Sequence, residues 1–79
     1  MNEIKTSIRY LQLMQLGIRE DLAEQRRELQ QQLEAPDNAM RDISIEFHTE
    51  CVEAGEKLLW ANQKAIKELQ ALLKEDGKS

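Results

Sequence analysis

A chain of 79 residues allows one domain, and a domain this short buries only about 60% of its unfolded surface, so it normally needs a staple, a metal or a partner chain. Eleven basic and 15 acidic residues give a formal net charge of −4, a balance that repels phosphate backbones and disfavours nucleic acid as a partner. The single cysteine, Cys51, excludes an intramolecular disulfide and suits a reducing compartment.

The first residues, Met1-Asn2-Glu3-Ile4-Lys5, lack the basic-then-apolar order of a signal peptide. No apolar run approaches the roughly 20 residues needed to span a bilayer. The expectation is a small soluble cytoplasmic protein without membrane contact. Its basic residues Lys5, Arg9, Arg19, Arg26, Arg27 and Arg41 are spread along the first half with acids between them.

In chain order, Asn2 is placed to cap a first helix, with Glu3 favouring its first turn. Ile4, Ile8, Leu11, Gln15, Ile18, Leu22, Gln25 and Leu29 then alternate in steps of four and three, the spacing of one face of a helix pressed against another. Two rungs are glutamine; a polar rung lowers stability and fixes register. Leu33 is expected to carry the stripe to the helix end. The segment Arg26 to Glu34 holds only arginine, glutamate, leucine and glutamine, all good helix formers.

Ala35-Pro36-Asp37-Asn38 is the break. Proline disfavours helical geometry at Ala35, and Asp37 or Asn38 can cap the next helix. In that second helix Ile45, Val52, Leu59, Ile66 and Leu73 recur every seven residues, interleaved with His48, Gly55, Asn62 and Leu69. Acidic residues fill its first half (Asp42, Glu46, Glu50, Glu53, Glu56) and lysines its second (Lys57, Lys64, Lys67, Lys74), matching the helix dipole. Gly77 offers a stop.

The predicted fold is all-α. It is a single domain over residues 1–79 made of two long antiparallel helices, about 3–34 and about 38–75, joined by a turn at 35–38. So short a break folds the second helix back on the first, and facing residues then have numbers that sum to about 73. Gly17 comes level with Gly55 or Glu56, and two mid-helix glycines at one level signal either close backbone approach or two glycines tolerated at about 1 kcal/mol each relative to alanine.

Apolar side chains around Tyr10 to Ile18 point nearly all round the first helix, and Leu58 to Ala61 do the same on the second. Two helices bury one stripe each against the other, so further apolar surface needs cover. Tyr10, Leu13, Met14, Leu16, Leu59 and Trp60 are the expected partner-binding residues. Their cover is another protein or a second copy, either of which completes a four-helix bundle.

Chemistry is thin. His48 and Cys51 are three residues apart, but a zinc site needs more ligands than one histidine and one cysteine supply. No phosphate-binding glycine loop, zinc-protease helix or nucleophile elbow is present. The acids Asp42, Glu46, Glu50 and Glu53 read as a solvated face. No catalytic, cofactor-binding or metal-binding residue is assigned, and the chain is not expected to be an enzyme.

The run Asp21-Leu22-Ala23-Glu24-Gln25-Arg26-Arg27-Glu28-Leu29, continued by Leu33-Glu34-Ala35-Pro36 and Thr49 to Leu59, resembles the small co-chaperones of type III secretion needle subunits. It covers about half the chain and contains no invariant chemical motif. The resemblance implies a helical hairpin that pairs with a larger tetratricopeptide-like chaperone and keeps a needle subunit soluble in the cytoplasm. Two function classes thus stand: a non-catalytic adaptor or co-chaperone, and a small plasmid- or phage-type four-helix-bundle dimer acting on RNA or inhibiting a host protein.

Overall fold

The computed structural model describes residues 2–78, with side chains described for 2–75. Two helices, α1 (Glu3–Glu34) and α2 (Ala39–Lys78), make up the described chain, with no strand among these residues. They form an antiparallel hairpin of 63 × 15 × 13 Å. Its radius of gyration is 18.0 Å, against about 12 Å for a globular domain of this length. A rod of this shape has little interior, so most of its side chains stay in contact with solvent.

Both ends of α1 and the start of α2 have an identifiable cause. Asn2 caps α1: its Oδ1 accepts from the Ile4 amide at 3.0 Å, and its carbonyl accepts from Thr6 Oγ1 at 3.4 Å. At the far end Ala35 is extended, as the following proline requires. Of the two expected caps for α2, Asn38 is the one used, accepting from the Arg41 amide at 2.8 Å and donating to the Pro36 carbonyl at 3.3 Å. Gly77 does not stop α2, which continues to Lys78; no glycine among the described residues has positive φ, so none adopts the left-handed stop.

Arg41 ties the turn shut. Its Nε donates to the Gln32 carbonyl at 2.9 Å and its Nη2 to the Leu33 carbonyl at 3.1 Å, while Nη1 meets Asp37 at 3.2 Å. Helix α1 has no basic residue in its own last turn. A guanidinium from α2 therefore satisfies carbonyls that the end of α1 leaves open.

The seam follows the sequence. Ile8, Leu22 and Ile66 are buried, Leu22 most deeply at 3% exposure. Ile4, Leu11, Gln15, Ile18, Gln25 and Leu29 line it half-buried, with Ile45, Val52, Leu59, Leu69 and Leu73 opposite. Two cross-helix contacts fix the register: His48 Nδ1 pairs with Gln25 Oε1 at 2.8 Å, and Asn62 Nδ2 donates to the Leu11 carbonyl at 3.0 Å. Both match the expected pairing sum of about 73. The stripe ends differently from expectation. A strict four-three alternation from Leu29 lands on Gln32, which is half-buried, and leaves Leu33 exposed.

The two glycines part company. Gly55 faces the seam, where a Cβ would stand 3.0 Å from Leu22 Cδ1; here the close approach is real, and the missing side chain is the socket for the most buried leucine. Gly17 has nothing within 4 Å of a notional Cβ and faces away from α2.

A candidate protein-docking face

At roughly 100° per residue, positions flanking the seam fall into two lateral stripes on each helix. Because both helices are right-handed and run in opposite directions, stripes offset in the same rotational sense lie on the same side of the hairpin. The Arg26–Glu56 ion pair, 3.9 Å across the two helices, ties one such flank together.

The opposite flank carries the apolar surface. On α2 it reads Met40, Phe47, Ala54, Ala61 and the charged Glu68 at seven-residue intervals, interleaved with Ser44, Cys51, Leu58, Ala65 and Leu72. This is a second heptad stripe beside the seam, running almost the length of α2. Met40, Phe47, Leu58 and Leu72 on it are exposed, Phe47 at 59%. The Phe47 ring stands edge-on to the ring of the seam residue His48, 5.4 Å between centroids. Met14, Tyr10 and Gly17 flank the same side on α1, followed by the acids Asp21, Glu24 and Glu28.

The residues expected to bind a partner therefore do not form one patch. Tyr10 and Met14 belong to the flank just described, Leu13 to the outer back of α1, and Leu59 to the seam, where it is half-buried. Leu16 and Trp60 project on the other flank, the one carrying the Arg26–Glu56 pair. The cause is the helical wheel: consecutive apolar residues in a helix point all round it and cannot share a side. Sequence reasoning misses the α2 stripe through Met40, Phe47, Leu58 and Leu72 as a site. Its signal is a second seven-residue repeat, masked by alanines that look like indifferent helix formers.

On the Trp60 side, Trp60, Gln63, Lys64, Ile66, Lys67 and Gln70 line an open depression of about 620 Å³. Lys64 Nζ lies 5.1 Å from the Trp60 ring centroid, within cation–π range. The antiparallel fold also puts basic residues distant in sequence on one flank: Lys5 and Arg9 of α1 come level with the stretch of α2 around Lys67, while Arg19 stands about 15 Å further along α1.

Among the described residues no cluster of three or more histidine, cysteine, aspartate or glutamate side chains is placed to hold a metal, and no helix is long and apolar enough to cross a membrane. His48 Nδ1 is engaged by Gln25, and its Nε2 stands 4.0 Å from Glu28. Cys51 is free and half-buried on the α2 stripe. Comparison with family models, with curated proteins and with solved structures finds no match for this chain.

Proposed function

We propose that this chain is a non-catalytic protein-binding module, an adaptor or co-chaperone that works by completing a helical bundle with another polypeptide. One observation carries the reading: an apolar heptad stripe runs along α2 on the solvent side of a hairpin that, among the described residues, buries only Ile8, Leu22, Ile66 and Asn62 to the level of a core. A stripe of that length facing water is a standing gain for any helix that covers it. The cytoplasm is the fitting compartment, given a free thiol on the stripe. The resemblance of Asp21–Pro36 and Thr49–Leu59 to needle-subunit co-chaperones suggests type III secretion as the setting.

The test is the native size of the chain in an extract of the cells that make it. The expected species is larger than the 9.2 kDa chain, and Phe47→Ser with Leu58→Ser should return it to the single-hairpin size. Elution as a bare hairpin before and after the substitutions would sink the reading.

A second reading, a small regulatory bundle that contacts RNA, has a specific observation in its favour: Lys64 lies over the exposed Trp60 ring, and Lys5, Arg9 and Lys67 lie on the same flank. Basic residues with an interleaved aromatic suit a nucleic-acid strand. Such binding should weaken steeply with salt, by roughly one decade of affinity per decade of salt for each phosphate contacted; binding held by apolar anchors should be nearly indifferent to it.

A further inference from the structure

We propose that the α2 stripe is covered by α2 of a second copy of this chain, packed antiparallel about a two-fold axis level with about residue 56. The inference rests on the protein-binding reading above and names its partner.

The stripe is self-complementary in side-chain size. In an antiparallel pair, facing stripe positions have numbers summing to a constant, and a sum of about 112 aligns this stripe end to end. Phe47, the largest side chain on it, then faces Ala65 of the second copy. Leu58 faces Ala54, and the small Cys51 faces Ala61. Met40 and Leu72 close the two ends against each other. Large meets small through the middle of the stripe, and the two-fold axis repeats every layer, which is how facing positions fill space without voids or clashes. The polar residues obey the same rule, because Ser44 faces Glu68.

Orientation follows from charge. A parallel pair in register would set Phe47 against Phe47, Ala54 against Ala54, and Glu68 against Glu68 in the seam. The antiparallel pair removes that buried repulsion and places Glu50, on the outer edge of the stripe, beside Lys64 of the second copy, twice over. Only Lys57 meets its own kind, at the exposed rim where screening is strong. Stacking α1 of one copy on α2 of the other would press Asp21 and Glu24 onto Cys51 and Phe47. The acids on α1 select α2 as the contact.

The surface is large enough. From Met40 to Leu72 the stripe is about 48 Å long and about 10 Å wide, so α2 alone offers on the order of 500 Å² per copy, or about 1,000 Å² in total, the lower bound for a specific interface. Gly17, with nothing near its missing side chain, lies level with the two-fold axis and leaves room where the two α1 helices come closest.

The test uses the purified full chain. Sedimentation equilibrium at tens of micromolar should give twice the 9.2 kDa chain mass. Phe47→Ala and Ala65→Phe should each weaken association at least tenfold, the first by a void and the second by a clash with Phe47. The double swap should return it to within about threefold of the parent, because the layer is refilled with its partners exchanged. Neither position is in the hairpin core, so circular dichroism should show every variant folded. As an independent readout, Ala61→Cys treated with oxidised glutathione should cross-link through Cys51 of the second copy; within one chain these positions are about 15 Å apart along α2 and cannot bridge. The parent should not cross-link, since its two Cys51 residues stand about 15 Å apart along the axis. A parent that readily forms a Cys51–Cys51 disulfide, or a double swap that stays weakened, would overturn the antiparallel pairing. A folded 9.2 kDa monomer at about 100 µM would overturn self-association, and native size in the cell extract would then judge the broader reading separately.

Discussion

At the scale of single residues, the specificity of the hairpin concentrates in two side chains and one glycine. Asn62 is 6% exposed and donates to the Leu11 carbonyl, yet its Oδ1 has no hydrogen-bond partner. An acceptor stripped of water and left unpaired costs about 1–3 kcal/mol. Asn62→Leu should therefore raise the urea midpoint, by about 1 kcal/mol in stability, while loosening the register that the Leu11 bond sets. A fall in the midpoint would show that the single bond outweighs the orphaned oxygen. Arg41 acts in the opposite sense, with its guanidinium on two α1 carbonyls. Arg41→Ala should cost about 1–2 kcal/mol, and Arg41→Lys should recover little of it, because an ammonium cannot span two carbonyls and Asp37 at once. Faster amide exchange around residues 33–41 in both variants is the check. The glycines supply an internal comparison. Gly17→Ala should stabilise by up to about 1 kcal/mol, the ordinary helix preference for alanine. Gly55→Ala should fall short of that or destabilise, because its Cβ meets Leu22; equal gains at both positions would mean the Leu22 socket is loose.

At the scale of the helix, α2 carries two apolar stripes and the hairpin uses one of them. The inner stripe is interrupted by Gln15 and Gln25 on α1 and by His48, Gly55 and Asn62 on α2. These interruptions explain why so few side chains reach full burial. The contact energy consequently concentrates on Leu22, the knob in the Gly55 socket. Leu22→Ala should cost about 3–5 kcal/mol, the upper range for a buried leucine, since a glycine opposite cannot fill the void. Loss of helicity at room temperature is the expected readout. Trp60, exposed and stacked with Lys64, sits on neither stripe. Trp60→Ala should leave folding unchanged within about 0.5 kcal/mol. A larger loss would place Trp60 in an interface that the isolated hairpin lacks.

At the scale of the whole molecule, a rod 63 Å long and 13–15 Å thick exposes most of its apolar residues whatever its sequence, because two cylinders touch along one line. Helicity should therefore depend on concentration or on a partner. Dilution from about 100 µM to about 1 µM should lower the melting temperature by several degrees if burial of the second stripe contributes about 1 kcal/mol or more. A melting temperature independent of dilution would mean that the inner seam suffices alone.

The two helices, the break at Ala35 to Asn38, the Asn2 cap and the inner seam were all legible in the order of the residues, because periodicity, proline and capping act over a few positions and need no partner. The pairing level of His48 with Gln25 was legible too, since a short turn leaves one register. Which of the remaining apolar residues share a side became clear only in three dimensions. Tyr10, Leu13, Met14 and Leu16 are neighbours in sequence and point to different sides. Met40 and Leu72 are about 48 Å apart along α2 and share one. Lys5 and Lys67, far apart in sequence, come level on one flank for the same reason. Sidedness depends on the direction in which the second helix returns and on the rotation of each helix about its own axis. The seam contacts set that rotation, and the turn that Arg41 closes sets the direction.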